Sequence, residues 1–324
     1  MKLAAIVVVA AMVVACGGGR RKPGVKATPE VPRMKTAADR VLALLPDGAQ
    51  VVVEIDLARL RANPIVGELV TKAIAPGGFD KAGERRTRSS AEGDAEWIDR
   101  LPGGMEIADT VVLAAYGLGT SQAATVTVIV AKTAPAEATR ISDGIYALGP
   151  TEWIAQIEAR AAIAANDPTK IQAPKELLAL RDQAMPEAAP GAALRITARL
   201  PFDARVALAR LTGIESAPAQ LSLWADVADD IAIVVDAEAS DPGDKDSKAA
   251  TKKTAAKLTA VIRGALAELA KDPAVRAVGL PGSLANAKLV ARGTWIRTII
   301  AIGPKHLQRV VERATALLVP KAPS

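Results

Sequence analysis

The chain has 324 residues, half of them hydrophobic and 23% charged, with a formal net charge of +6, which is the balance of a folded protein rather than a disordered one. One Cys and one His exclude an intrachain disulfide and any multi-Cys or multi-His zinc site, and they leave His306 as the sole base for a Ser–His or Cys–His mechanism. The length predicts one large or two small domains.

Residues 1–16 read MKLAAIVVVAAMVVAC, with Lys2 followed by an apolar run of 12 residues from Leu3 to Val14. A mature membrane span needs about 20 residues, whereas this run has the length of a signal-peptide core. The run closes on Val13-Val14-Ala15-Cys16 and three glycines. This resembles the lipobox of bacterial lipoproteins. The resemblance implies signal cleavage between Ala15 and Cys16 and lipidation of Cys16, with a thioether-linked diacylglyceryl group and an N-linked fatty acid such as palmitate. An uncleaved hydrophobic helix or a plain secretory leader is the alternative. Val13 stands where Leu is more usual. Gly17 stands where an Asp would imply inner-membrane retention, so the resemblance favours the outer membrane.

Residues 17–35 are rich in Gly and Pro and carry six basic residues against Glu30 alone, the composition of a tether. Each such cation near anionic lipid contributes about 1 kcal/mol. Residues 36–324 hold 34 basic and 34 acidic residues, so the body is formally neutral. The high pI then belongs to the tether and signal, and nucleic acid, which demands a cationic folded surface, is not an expected partner.

In the body, a helical lead-in over 39–45 stops at Pro46-Asp47-Gly48, a turn signal. Val51 to Ile55 reads as a strand. Asp56 caps a short helix, and Asn63-Pro64 restarts it to about Ile74. Residues 75–95 read as a loop and 96–101 as a short helix. Strands at 110–116 and 124–132 flank Gly117-Leu118-Gly119, which is a hairpin turn and not a nucleotide loop, because a strand follows it. A strand at 145–148 and a helix at 150–164 come next, then a Pro-rich stretch with a helical piece at 175–184. In 194–200, Leu194, Ile196, Ala198 and Leu200 alternate with Arg195, Thr197 and Arg199, predicting one buried and one wet face. Asp203 opens a helix to about Leu211, and 220–226 with 231–236 form a hairpin. A polar loop spans 238–250. The helix at 251–271 carries a stripe of Leu258, Val261, Ile262, Ala265, Leu266 and Leu269. Strands at 287–294 and 296–302 precede a last helix over 304–319.

A weak repeat with offset 154 aligns Ala147-Leu148-Gly149-Pro150 with Ala301-Ile302-Gly303-Pro304, each pair of motifs leading into a helix. The fold expected is α+β, two related halves of mainly antiparallel sheet backed by amphipathic helices. The organisation expected is a signal peptide over 1–15, an acylated tether over 16–35, a first half over 36–190 and a second over 191–324. Leu45-Pro46-Asp47-Gly48-Ala49, Val51 to Val53, Asp56, Leu60-Arg61 and Pro64, with the order of later elements, are similar to uncharacterised envelope lipoproteins of myxobacteria and related bacteria. That resemblance implies no activity and no site residues.

Candidate chemistry is thin. His306 reads as a solvated histidine. Asp236, Glu238, Asp241, Asp244 and Asp246 lack calcium-loop spacing and interleave with Lys245 and Lys248. Glu54 and Asp56 share one side of a strand, as paired carboxylates do, but Asp56 is explained as a cap. Trp224 and Trp295 read as packing between sheet and helix rather than ligand lining. No catalytic, metal or cofactor residues are therefore assigned, and the only site residues are Ala15 and Cys16. The leading expectation is a non-enzymatic, membrane-anchored binding or scaffolding lipoprotein, its partner an unknown protein or apolar ligand. A carrier of lipid or another apolar ligand comes second and a hydrolase last.

Overall fold

The computed structural model describes residues 36–75, 104–184, 191–206, 217–238 and 248–318. The chain folds as α+β around a ten-stranded antiparallel sheet. In chain order the elements are α1 (Ala37–Leu44), β1 (Val51–Asp56), α2 (Leu57–Ala62), α3 (Gly67–Ile74), β2 (Ala108–Tyr116), β3 (Ala124–Ala131), β4 (Thr139–Ser142), β5 (Ile145–Leu148), α4 (Thr151–Asn166) and α5 (Lys175–Gln183). Then follow β6 (Leu194–Arg199), β7 (Gln220–Val227), β8 (Ile231–Glu238), α6 (Lys248–Lys271), α7 (Pro273–Val278), α8 (Pro281–Ala285), β9 (Lys288–Arg292), β10 (Trp295–Ile302) and α9 (Pro304–Leu318).

The strand order is β4-β5-β3-β2-β1-β6-β7-β8-β10-β9. Read outward from the centre, it runs β1-β2-β3-β5-β4 on one side and β6-β7-β8-β10-β9 on the other. The two sequence halves thus contribute mirrored orders to a single sheet. They are joined where β1 pairs with β6, Val53 opposite Ile196 and Glu54 opposite Arg195.

Alternation along the strands gives the sheet two faces. The front face, with Val53, Ile55, Ile196 and Ile300, packs under α2, α3 and the four helices α6 to α9 in one core cluster. The back face of the first half, with Val52, Val112, Val128 and Ala147, packs under α1, α4 and α5 in a second. The repeat holds in the strands and breaks in the helices. Leu148 and Ile302 both belong to the front-face cluster. However, α4 crosses to the back and buries Ile157 there, whereas α9 stays in front and buries Leu307 and Val310. The backbone differs at the junction. Gly149 has φ +149° and a Cβ there would stand 3.0 Å from the Thr125 carbonyl, whereas Gly303 has an ordinary φ and open space around it. Only glycine takes the first conformation without strain.

Local signals explain most element starts. Thr36 and Asp39 form a capping box on α1. Asp56 Oδ1 accepts the Arg59 N–H at 2.8 Å on α2, and Asp272 caps α7 behind Pro273. The helix expected from Asn63-Pro64 begins later, at Gly67. Asn63 instead holds a turn, its Oδ1 accepting from Ile65 and Val66 N–H groups, because an Asx side chain stabilises a turn as readily as a helix start. Leu266 is partly buried and packs with Leu269 against the front-face cluster. The sheet-facing line of α6 is Ala255 and Leu258 with Ile262, so α6 lies along the edge at β9 and β10, where a helix has only one neighbour layer.

Candidate functional site

The polar centre of the body lies on the back face beneath the end of α5. Glu54 on β1 and Arg181 on α5 are 5% and 7% exposed. Arg181 Nε and Nη2 donate to the two Glu54 carboxylate oxygens at 2.7 and 2.6 Å, a planar two-point clasp. Its Nη1 lies 2.8 Å from Asp39 Oδ1 at the start of α1. Burial pulls the Arg181 guanidinium down, but the hydrogen bonds and charge of Glu54, with Asp39 and Asp182, outweigh it and the net shift is upward. Arg195 stands beside Glu54 on β6, 6% exposed. Burial, then the neighbouring Arg181 charge, hold its guanidinium below the usual range, against Glu54, Asp182 and Asp39.

The same helix end is tied further along the sheet. Ser222 on β7 accepts the Ala184 N–H and donates to the Arg181 carbonyl, both at 3.3 Å. Arg297 on β10 donates from Nε and Nη2 to Asp236 on β8 at 2.9 and 2.6 Å, and from Nη2 to the Gln183 carbonyl at 2.7 Å. The Asp236 hydrogen bonds hold the Arg297 guanidinium above its ordinary value, against burial. Asp236 is 2% exposed. Charged side chains of five strands and helices thus lock α5 over the sheet centre. A second clasp ties the halves where Arg59 on α2 meets Asp226 on β7 at 2.8 and 2.7 Å.

The sequence expectations map onto this geometry unevenly. The face of β6 expected to be wet is covered at Arg195 and Thr197 and exposed at Arg199. Arg195 and Thr197 are buried because α5 lies over them, and Glu54, Asp182 and Asp39 supply the carboxylates that a buried guanidinium requires. Glu54 and Asp56 do not form a catalytic pair: one is clasped by Arg181 and the other caps α2. Asp236 lies in β8 as expected and the strand runs on to Glu238, expected in the polar loop, while Asp241, Asp244 and Asp246 fall outside the described residues. His306 is half-buried, not solvated. Its Nε2 donates to the Gly279 carbonyl at 2.8 Å and fixes the first turn of α9 against the end of α7. Trp224 is buried with Ala184 and Val234, its Nε1 donating to the Gly191 carbonyl at 3.0 Å, as packing predicts; Trp295 is half-buried. Ala15 and Cys16 fall outside the described residues. Arg181, Asp39 and Arg297 went unnoticed in the sequence, and the one available signal was Glu54, a lone charge inside a β-branched strand that needs a partner.

Among the described residues no group of three or more His, Cys, Asp or Glu is placed to hold a metal ion. No described helix is long and apolar enough to cross a membrane.

No protein-family model matches the chain, and no curated protein matches it. Four chains among solved structures match. One, described as "Structure of crystal form I of TP0453", is 9% identical, with a TM-score of 0.40 over 86% of this chain and 98% of that one. At that level nothing is transferred to this chain.

Proposed function

We propose that the chain is an envelope lipoprotein, anchored to a membrane through acylated Cys16, whose body is a non-enzymatic binding or scaffolding domain. The outer membrane is the favoured site, from Gly17. One observation of the structure supports the non-enzymatic body. The two carboxylates best placed for chemistry, Glu54 and Asp236, are each held two-point by an arginine under covering side chains, an arrangement that fixes a fold rather than exchanging protons with a substrate. The anchor rests on the chain's sole cysteine standing at the end of the signal-like run. Two or three acyl chains hold stably where one is marginal.

Metabolic labelling with an alkyne fatty acid tests the anchor. The wild type takes up label, and Cys16→Ser takes up none and remains an uncleaved precursor. Label on the mutant, or none on the wild type, refutes the reading.

A second reading, a carrier of an apolar ligand, is favoured by the back face of β9 and β10. Val290, Trp295 and Ile299 are only partly buried there among the described residues. Native mass spectrometry of the purified protein distinguishes the two: a co-purifying lipid puts the carrier ahead of the scaffold.

A further inference from the structure

The neutrality of the body conceals a segregation of charge. Residues 36–247 carry 20 basic and 31 acidic side chains, a net of −11, and residues 248–324 carry 14 basic and 3 acidic, a net of +11. The fold does not intermix the two. Residues 248–318 supply the edge strands β9 and β10, with α6 and α8 against them, and α7 packs against both α6 and α9, which reaches α3. The cations point outward. Lys257, Arg263 and Lys271 on α6, Arg276 on α7, and Lys305, Arg309 and Arg313 on α9 are all exposed, as are Lys288 and Arg292 on the edge strand. Among the described residues only Lys271 of these forms an ion pair, with Glu268 at 2.6 Å. Positive charge at this density with so few counter-ions repels itself and lowers stability, so its presence calls for a polyanion outside the fold.

We propose that this basic pole docks electrostatically on an anionic phospholipid surface. The choice of a bilayer rests on the lipid-anchor reading above. Two further observations favour it over nucleic acid. The pole has one aromatic residue, Trp295, and it is half-buried, so there is no platform on which bases would stack. The cations are spread over three helices and a strand edge rather than aligned along one groove, which suits many laterally mobile headgroups better than a fixed phosphate track. The 20 residues from Cys16 to Lys35 span up to about 70 Å when extended, against a body whose radius of gyration is about 19 Å at this size. The anchor therefore leaves the pole free to turn to the membrane, with the acidic remainder facing away.

The test uses a non-acylated chain beginning at Gly17, which removes none of the described structure, so its result stands whatever happens at Cys16. Co-sedimentation is measured with phosphatidylcholine vesicles, with and without phosphatidylglycerol, at low and high salt. One variant reverses the pole (Lys257→Glu, Arg263→Glu, Lys305→Glu, Arg309→Glu), and a second neutralises the tether (Arg20→Ser, Arg21→Ser, Lys22→Ser, Lys26→Ser, Arg33→Ser), leaving Lys35 against Glu30. The wild type binds only the phosphatidylglycerol vesicles and releases as salt shortens the screening length. Pole reversal lowers partitioning about ten-fold or more, at roughly five-fold per cation engaged, while the tether variant retains salt-sensitive binding. All four reversed residues are exposed and the reversal relieves like-charge repulsion, so melting by circular dichroism does not fall below the wild-type temperature. The proposal is overturned if the pole variant binds as the wild type does, if the tether variant loses all binding, if no chain binds, or if a duplex DNA fragment competes the protein off the vesicles at matched phosphate.

Discussion

Arg181→Met removes the guanidinium at the centre of the back-face network and keeps a side chain of similar length. Three contacts at 2.6 to 2.8 Å disappear, two to Glu54 and one to Asp39. Asp39 is 27% exposed and still accepts the Thr36 N–H at 2.7 Å, so water and the cap replace its share. Glu54, buried under α5, keeps the Arg195 charge beside it but loses both hydrogen bonds of the Arg181 clasp. Removing one partner of a buried pair costs about 3–5 kcal/mol, chiefly by stranding the other charge. Against a total stability of about 5–15 kcal/mol, that lowers the melting temperature on the order of 10 °C for a body of this size. Replacing both partners, Glu54→Leu with Arg181→Met, removes the stranded carboxylate but takes Glu54 from the buried Arg195, so it restores only part of the loss. Thermal melts by circular dichroism on wild type, both single variants and the double variant make the cycle. A single variant melting within about 2 °C of wild type refutes the assignment, as does a double variant less stable than either single one.

Other expectations address separate features. Gly149→Ala destabilises by about 1–3 kcal/mol, since alanine resists φ +149° and its Cβ meets the Thr125 carbonyl, while Gly303→Ala at the equivalent junction is nearly silent; equal effects in urea titrations remove the reason given for the two helices parting. The Tyr116 phenol is held above its ordinary value by burial, with Arg160 opposing and Asp47 reinforcing. Its folded-state proton is therefore the tighter one. The stability it contributes is whole below about pH 10 and falls as pH rises above that. Ultraviolet titration of Tyr146→Phe, which leaves one tyrosine, shows no phenolate until the alkaline unfolding transition; ionisation at the ordinary value in the folded state refutes the burial argument.

Much of the fold was legible because the governing interactions are local. Alternation and β-branching marked β1, β2, β3, β7, β8 and β10, and Asp56 announced the helix it caps. The antiparallel character followed from the hairpins at Gly117 and Ala228. Invisible in the sequence were β4, whose four residues have weak alternation, and the short helices α7 and α8, which depend on packing against α6 and α9. Cys16 and its surroundings belong to a segment whose meaning is carried by linear pattern alone.

Composition and order by themselves determined the neutral charge sum, the sole cysteine and histidine, the strands and the repeat at Gly149-Pro150 and Gly303-Pro304. Tertiary structure alone decided three things. It joined the halves into one sheet through β1 and β6. It sent α4 and α9 to opposite faces from similar junctions. It turned Glu54, Arg181 and Arg195 from surface charges into a buried network, while gathering the cations of 248–318 on adjoining helices and an edge strand. Helix and strand signals operate over a few residues, so a chain can state them to itself. Pairing a strand with one 140 positions away, or burying a charge against a partner 127 positions away, depends on which surfaces meet, and that is settled only when long-range burial outweighs the entropy of closing the intervening loops.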